Sequence, residues 1–293
     1  MTAPSGAVSD RTGLVAAALT ALFVPGDRPE RFGKAIASGA DLVIIDLEDA
    51  VAPEAKATAL RAVQAALVPG LKPASRALVR INAAGTPTHD TEVRSVLNIA
   101  DEPGHGLRGV MLPKAEDPVV VARLATALAA AAGGPLALVL LVESALGVAN
   151  SLELARVPGV TRLALGAIDL ALDLDAEADS PVLDYARAQV VVASRAAGIA
   201  APLDSPSIAI GDLHAVEQSA RTGRGFGFSG KLCIHPAQLK PVTVAFSPTE
   251  EQLTWARSVV SAGAAAIQVE GQMIDKPVTE KARRILQRAG VSA

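Results

Sequence analysis

The chain has 293 residues, half of them hydrophobic, so it can bury a large core in one domain or in two. Lys and Arg number 27 against 30 Asp and Glu, and this near balance excludes the basic footprint of a nucleic-acid-binding protein. The single cysteine, Cys233, excludes a disulfide within the chain and predicts a reducing, cytoplasmic location.

The apolar run from Leu14 to Val24 is too short to span a membrane. The segment before it carries Asp10 beside Arg11, so a secretory signal, which needs a positively charged start, is disfavoured. We therefore expect residues 1–20 to form a flexible N-terminal segment that leads into the first buried strand.

Short apolar runs recur along the chain and predict eight parallel strands that are buried on both faces. The predicted strands are Ala21–Pro25, Asp41–Glu48, Ala77–Asn82, Gly109–Lys114, Leu136–Glu143, Arg162–Asp169, Gly198–Asp204 and Gly227–Pro236. The stretches between them predict helices, several of which open with proline just inside the start. The predicted helices are Pro29–Ser38, Pro53–Leu67, Asp117–Ala132, Ser151–Arg156, Ser180–Ala197 and Ser207–Thr222.

This alternation of strand and helix favours a (β/α)₈ TIM barrel over residues 21–248. A doubly wound sheet stays open as an alternative, but the glycine-rich dinucleotide motif is missing after the first strand. Residues 249–293 are predicted to form a C-terminal helical extension, with helices at Glu250–Gln268 and Lys276–Ala289. We expect this extension to cover the barrel or to pack on a neighbouring subunit.

Polar residues mark the end of every predicted strand, which is where a TIM barrel places its chemistry. In chain order they are Asp27; Asp46, Glu48 and Asp49; Arg80 and Asn82; Lys114; Glu143; Asp169; Asp204; and His235. Crowding these acids and bases around one opening costs desolvation and like-charge repulsion. A cation at the centre would offset that cost.

Glu143 and Asp169 are the predicted metal ligands, because each follows a long apolar strand and both would project into one cavity. Two carboxylates, completed by water or substrate oxygens, are a usual way to hold Mg²⁺. The alternatives are a helix N-cap for Asp169, or an ion pair of either acid with Lys114 or Arg80.

Arg80 stands between apolar residues in VRIN, and a buried arginine needs an anionic partner. One interpretation is a catalytic clamp for a substrate carboxylate or enolate. The other is a buried ion pair with Asp46 or Glu48, and both could hold together. Lys114 is predicted as a further anion contact, although a surface role suits it as well.

The acidic segment that starts at Asp46 places Asp46 and Glu48 on the same side of the strand. We expect them, with Asp49, to hydrogen-bond metal-bound water or the nearby cations, while a solvated turn is an equal alternative for Asp49. Asp204 is assigned to the same supporting set. His235 is predicted to contact substrate or act as a base, against the simpler alternative of a hydrogen-bonding histidine.

These segments resemble the citrate lyase beta-subunit-like branch of the HpcH/HpaI aldolase superfamily. The resemblance covers most of residues 21–246, and two of its segments, DLEDAV and GKLCIHPAQ, are specific to that branch. The matching stretches are LFVPGDRPERFGKAIASGADLVIIDLEDAV, VRINAAGTP, GVMLPKAE, VESALGV, LALGAIDLALDL, YARAQVVVASRAAGI and GFSGKLCIHPAQL.

The resemblance implies a TIM barrel with magnesium on Glu143 and Asp169. It also implies that Arg80 binds the carboxylate of an oxaloacetate-, pyruvate- or glyoxylate-like group, with acyl-coenzyme A running past His235. Homotrimers or hexamers are common in this branch, with the C-terminal helices packing on a neighbour. Two departures leave the substrate open: Ser144 stands where threonine is more frequent, and Ile168 where glutamate is frequent.

The implied activity is that of a magnesium-dependent carbon–carbon lyase on a 3-hydroxyacyl thioester, with release or capture of a 2-oxo acid. One alternative is an aldolase on free 2-oxo acids, which ranks lower because that branch has a histidine base where this chain has DLEDAV. The other is a non-catalytic relative that binds metal and oxo acid.

Overall fold

A computed structural model describes residues 10–70, 76–261, 267–269 and 272–290. The chain divides into a barrel unit that ends at Val242 and a C-terminal unit that starts at Thr243. Eight parallel strands close into a barrel in sequence order, which confirms the predicted (β/α)₈ fold. They are β1 (Thr20–Pro25), β2 (Leu42–Asp46), β3 (Ala77–Arg80), β4 (Leu107–Leu112), β5 (Ala137–Val142), β6 (Val160–Leu165), β7 (Ala200–Asp204) and β8 (Gly230–Cys233).

Helices alternate with these strands, and the last helix of this series runs across the boundary between the two units. They are α1 (Asp10–Ala17), α2 (Phe32–Ile36), α3 (Lys56–Leu67), α4 (His89–Asp101), α5 (Pro118–Ala129), α6 (Ala145–Ala149), α7 (Ser151–Arg156), α8 (Ala167–Asp173), α9 (Pro181–Ala197), α10 (Leu213–Phe226) and α11 (Leu239–Phe246). The sequence analysis missed α4, because its buried face carries Glu92 and Ser95 among its apolar residues. These polar side chains weaken the apolar repeat that marks a helix.

The strand ends differ from the prediction at Asp169, which lies in the first turn of α8 and not in a strand. The ladder of β6 stops at Leu165, and the chain turns at Gly166 to start the helix. Asp169 therefore reaches the mouth of the barrel from a helix, while Glu143 directly follows the last residue of β5.

The barrel interior shows which strand residues can reach the mouth. Its core contains Ile44, Leu78, Leu141, Leu203 and Leu232, all buried. Side chains along a strand alternate between its two faces. The residues two positions after Ile44, Leu78 and Leu141 therefore also point inward. That rule sends three charged residues to the carboxyl-terminal mouth, namely Asp46, Arg80 and Glu143.

Helix α1 belongs to the same core, because Val15 and Ala18 pack with the barrel interior. The fully buried Arg162 of β6 donates hydrogen bonds to the carbonyl oxygens of both residues, at 3.1 and 2.8 Å. The expectation of a flexible segment is therefore wrong for residues 10–17, which are helical, and residue 20 already belongs to β1. Residues 1–9 of that prediction lie outside the described part of the chain.

The C-terminal unit contains α12 (Glu250–Ser261), the antiparallel strands β9 (Ile267–Val269) and β10 (Gln272–Ile274), and α13 (Lys276–Arg288). Helices α12 and α13 share a small apolar core. The predicted helix to Gln268 ends earlier, since Gln268 lies in a strand. Among the described residues, no helix combines the length and the apolar character needed to cross a membrane.

Replacing Arg162 with leucine should strongly destabilise the barrel unit. Its guanidinium also donates to the Ala201 carbonyl and the Ser229 hydroxyl, so the substitution leaves several buried acceptors without a donor. We expect a loss of about 3 kcal/mol or more in the free energy of unfolding, measured with urea. Arg195→Leu, at an exposed position of α9, is the matched control and should change stability by less than about 0.5 kcal/mol. Equal losses in the two variants would contradict the role given to Arg162.

Candidate active site

A cavity of about 370 Å³ lies at the carboxyl-terminal mouth of the barrel. It brings together the three residues predicted to be catalytic, Arg80, Glu143 and Asp169. Its charged lining residues are Asp46, Asp49, Arg80, Glu143 and Asp169. The rest of the lining is Phe23, Pro25, Ala50, Leu141, Gly166, Ile168, Ser205, Pro206, Leu232 and Ile234. One wall of the cavity is thus charged, and the remainder is mostly apolar.

Glu143 is almost fully buried and carries an unfavourable charge. Its Oε1 accepts a hydrogen bond from the Lys114 backbone N–H at 2.9 Å. Burial raises the pKa of Glu143 to about 8, and the negative charges of Glu48 and Asp169 act in the same direction. A cation beside this carboxylate would favour its ionised form.

Gly166 has no side chain, and the Glu143 side chain occupies the space that a side chain at position 166 would need. A Cβ atom at position 166 would lie 2.6 Å from both Cβ and Oε2 of Glu143. No side chain larger than hydrogen fits there without moving the carboxylate. The glycine that directly follows β6 therefore limits where the Glu143 side chain can lie.

Asp169 is half-buried in the first turn of α8, and both alternatives raised for it fail. The N-cap of α8 is Gly166, and no side chain caps this helix. Among the described residues, the Asp169 carboxylate has no hydrogen bond or ion pair with Lys114, Arg80 or any other residue. Asp169 is free to bind a ligand in the cavity that it lines.

The pair Glu143 and Asp169 suits a hard cation such as Mg²⁺. The ion typically binds one or two protein carboxylates and takes its other oxygens from water or substrate. In the described ranges no cluster of three or more His, Cys, Asp or Glu residues is placed to hold a metal. A cation here would thus keep open positions for substrate.

Arg80 is held by Asp46 and Glu48, as the ion-pair alternative expected, and Asp49 lies 3.5 Å from its Nη1 as a third acid. Its Nε and Nη2 each donate to the Asp46 carboxylate at 2.6 Å, and Nη1 lies 2.7 Å from Glu48. Burial alone would lower the pKa of Arg80, but its hydrogen bonds and the charges of Asp46, Glu48 and Asp49 raise it. A guanidinium has five N–H groups, so Arg80 keeps capacity for an anion in the cavity that it lines.

Glu48 links Arg80 to Lys114. One Glu48 oxygen contacts Arg80, and the other accepts a hydrogen bond from Lys114 Nζ at 2.8 Å. Lys114 has a φ of +47°, a left-handed conformation that residues other than glycine rarely adopt. This conformation lets its backbone N–H bind Glu143 while its side chain reaches Glu48. The expected contacts between the acidic segment and both cations are present.

Asp204 does not support the cavity, so that prediction is wrong. It neighbours the inward-facing Leu203, and strand alternation turns its side chain toward the helix layer. There it pairs with Lys231 at 2.6 Å, and a Cβ at Gly223 of α10 would lie 2.5 Å from Oδ2. Asp204 and Lys231 form a buried ion pair outside the barrel.

His235 lies outside the cavity and is exposed. Its Nδ1 accepts a hydrogen bond from the Ala237 backbone N–H at 3.2 Å, so the simpler alternative describes its contacts within the chain. It also lines a second cleft of about 280 Å³ together with Arg31 and Lys34. The two spaces share three lining residues, which are Phe23, Pro25 and Ile234.

Sequence reasoning missed several residues that shape this region. The Phe23 ring packs 4.8 Å from the Arg80 guanidinium, and the Ser205 hydroxyl accepts a hydrogen bond from Ala167 N–H at 3.0 Å. Lys56 donates a hydrogen bond to the Glu48 carbonyl oxygen in the acidic segment, and Glu92 accepts one from the backbone N–H of Asn82, shortly after β3. Glu92 could have been found, since it lies four and seven residues before Val96 and Ile99 on the buried face of α4.

The metal-free protein should lose stability as pH rises, and Glu143→Gln should remove part of this loss. The pKa of Glu143 is about 8 in the folded state, against an ordinary value of 4.5. Its protonated form therefore contributes its whole stabilisation below about pH 4.5, and this contribution is lost as the pH rises toward 8. Glutamine cannot ionise, so at pH 8.5 the variant should be more stable than wild type by several kcal/mol. Urea unfolding in the presence of a chelator, between pH 4.5 and 8.5, measures this difference. Parallel pH curves for the two proteins would contradict the assignment.

The chain is similar to known proteins over most of its length. The sequence profile of the HpcH/HpaI aldolase/citrate lyase family matches residues 19–236. A citrate lyase subunit beta-like protein of Mycobacterium tuberculosis is 37% identical over 279 residues, covering 92% of this chain and 94% of that protein. The L-malyl-CoA/beta-methylmalyl-CoA lyase of Cereibacter sphaeroides is 33% identical over 301 residues, with 92% and 93% covered.

A solved structure extends the similarity to the fold. The CitE protein of Mycobacterium tuberculosis, crystallised with magnesium, acetoacetate and coenzyme A, superimposes with a TM-score of 0.79 at 36% identity. The match covers 94% of this chain and 99% of that one. The chain therefore belongs to the HpcH/HpaI aldolase/citrate lyase family.

Proposed function

We propose that this protein is a magnesium-dependent carbon–carbon lyase acting on a 3-hydroxyacyl thioester, such as a citryl-, malyl- or citramalyl-coenzyme A. It releases or captures a small 2-oxo acid. The proposal rests on one observation, namely that the cavity at the barrel mouth and the second cleft adjoin each other. A cavity with two carboxylates and an arginine adjoins a cleft with three basic residues, through shared apolar side chains.

Glu143 and Asp169 would hold the magnesium ion. Both line the cavity, and the pKa of Glu143 is raised mainly by burial, so a bound cation would favour its ionised form. When bound, magnesium polarises the carbonyl group of an oxo acid as a Lewis acid. The related CitE structure contains magnesium, which supports this assignment.

Arg80 would bind the carboxylate of the oxo acid. Asp46 and Glu48 fix its guanidinium before any substrate arrives, so little reorganisation is needed when charge develops. Lys114, tied to Glu48, adds positive charge on the same side. Cleavage breaks the bond between the α-carbon of the thioester and the hydroxyl-bearing carbon, while the hydroxyl group loses its proton and becomes the carbonyl group of the oxo acid. The oxo acid leaves, and the α-carbon takes up a proton to give the acyl thioester.

The second cleft would receive the coenzyme A portion of the substrate. Its basic residues, Arg31, Lys34 and His235, suit phosphate groups, and its shared residues lead directly to the charged cavity. This cleft favours a thioester over the alternative of an aldolase on free oxo acids, which would have no use for it. The names of the two relatives, one crystallised with coenzyme A and one a malyl-CoA lyase, support the same choice.

Two further predictions remain as the sequence analysis made them. A homotrimer or hexamer with the C-terminal unit packed on a neighbour rests on the family resemblance. A cytoplasmic location rests on the single cysteine, Cys233, which is buried and free.

Glu143→Gln should abolish thermal stabilisation by magnesium with oxaloacetate or pyruvate. In wild type, ligand at about 100 times its Kd should add roughly 2.7 kcal/mol to the free energy of unfolding. Losing one of two carboxylate ligands removes this effect. Thermal unfolding at pH 8.5 with and without both ligands measures it. Glu153→Gln, at an exposed position of α7, is the control and should keep the wild-type shift. A full shift in Glu143→Gln would overturn the ligand assignment.

Arg31→Ala combined with Lys34→Ala should raise KM for an acyl-coenzyme A substrate about tenfold. Two lost phosphate contacts at exposed positions are worth about 1.4 kcal/mol together. The same variant should have a wild-type KM for the matching N-acetylcysteamine thioester, which lacks the phosphates. Lys240→Ala, exposed on α11, is the control. An equal change for both thioesters, or no change, would contradict the placement of coenzyme A.

A further inference from the structure

We propose that Lys56 and Glu92 are positioning residues for the active site, acting through Asn82 to hold the segment that carries Glu48. Neither residue lines the cavity. Both lie in helices behind it, Lys56 at the start of α3 and Glu92 in α4. The proposal rests on the function proposed above, because the expected consequence is a change in oxo-acid binding.

Glu92 anchors the chain just after β3. Its side chain is 1% exposed, and it accepts two hydrogen bonds from Asn82, one from the backbone N–H and one from Nδ2, each at 2.6 Å. Both partners are donors, so the site requires a group that accepts through both of its atoms. A carboxylate does this, whereas an amide does not.

Lys56 connects this anchor to the acidic segment after β2. Its Nζ donates to the carbonyl oxygens of Leu47 and Glu48 at 2.9 and 2.8 Å, and to Asn82 Oδ1 at 2.8 Å. An ammonium group has three donors, and here each has an acceptor. Asn82 Nδ2 also donates to the Leu47 carbonyl at 2.8 Å. The two strand ends are therefore joined through backbone atoms.

The joined segment determines where the Glu48 carboxylate lies. Glu48 contacts Arg80 with one oxygen and Lys114 with the other. If its backbone shifts, both cations lose a common partner, and the orientation of Arg80 toward the cavity changes. Asp46 cannot take over the role of Lys56, because its carboxylate accepts from the backbone N–H groups of Glu48 and Ala50, whereas Lys56 donates to carbonyl oxygens of the same segment.

A purely structural role would lower global stability and leave the site unchanged in the folded protein. A positioning role makes two other changes. Amides of residues 46–51 should exchange hydrogen faster, and the oxo acid should bind more weakly while magnesium alone binds normally. The separation is expected because Glu143 and Asp169 make no contact with Lys56 or Glu92 in the described structure.

The test compares wild type with Lys56→Met, which keeps an unbranched side chain, one atom shorter, and removes the three donors. Hydrogen exchange by mass spectrometry in metal-free protein should show at least tenfold faster exchange in residues 46–51. Calorimetry with pyruvate at saturating magnesium should show about a tenfold higher Kd, with the Kd for magnesium alone within twofold of wild type. Arg61→Met is the matched control, since this exposed residue of the same helix bonds only to Thr58 of that helix in the described structure.

A second variant, Glu92→Gln, provides the test if Lys56→Met does not fold. Glu92→Gln keeps the shape of the side chain but leaves one of the two Asn82 donors without an acceptor, so it should show the same changes to a smaller degree. Unchanged exchange in residues 46–51 would overturn the proposal. So would faster exchange with an unchanged Kd for pyruvate. If wild type binds no pyruvate while exchange still accelerates, the proposed function fails and the hold of Lys56 on the Glu48 segment is supported.

Discussion

The burial of carboxylates at the mouth of the barrel is the constraint on which the rest of the site depends. Glu48 and Asp169 lie close enough to Glu143 that the negative charge of each raises the free-energy cost of ionising it. Two cationic side chains, Arg80 and Lys114, lie beside these acids, and each forms an ion pair with Glu48. Neither side chain ion-pairs with Glu143 or Asp169 in the described structure, so that pair stays available for a bound cation. The network thus neutralises the supporting acids and leaves the two proposed ligands without an ion-pair partner in the described structure.

Several backbone features maintain this arrangement. Gly166 provides the space for the Glu143 carboxylate, and the left-handed conformation of Lys114 aims its N–H at the same group. The Ser205 hydroxyl holds the first turn of the helix that carries Asp169. Each device fixes a charged group before substrate binds, which is what electrostatic catalysis requires. The proposed action of Lys56 and Glu92 extends the same principle to the segment behind Glu48.

The two faces of the cavity divide the chemistry. The charged groups come from β2, β3, β5 and the helix after β6, while β7, β8 and β1 supply mainly apolar side chains such as Pro206, Ile234 and Phe23. Because β8 pairs with β1, the apolar side is continuous around the closed barrel. It leads to the basic cleft at Arg31 and Lys34. A substrate with a compact anionic end and a long phosphorylated arm matches this order of surfaces.

The sequence by itself determined the strand order, the barrel and most of the charged residues at its mouth. It could do so because strands buried on both faces leave continuous apolar runs, and a polar residue at the end of such a run is conspicuous. It also singled out Glu143, Asp169 and Arg80, and these three residues line one cavity in the structure. Their roles as ligands and clamp stay proposals.

Only the tertiary structure decided which strand-end residues face the cavity. Asp204 and Asp46 both end strands, yet Asp204 turns to the helix layer and Asp46 turns inward, because alternation depends on a register that the run of apolar letters does not reveal. Lys56 and Glu92 were missed for a related reason. They come from separate helices and meet Asn82 only when the barrel closes, so no local pattern brings them together.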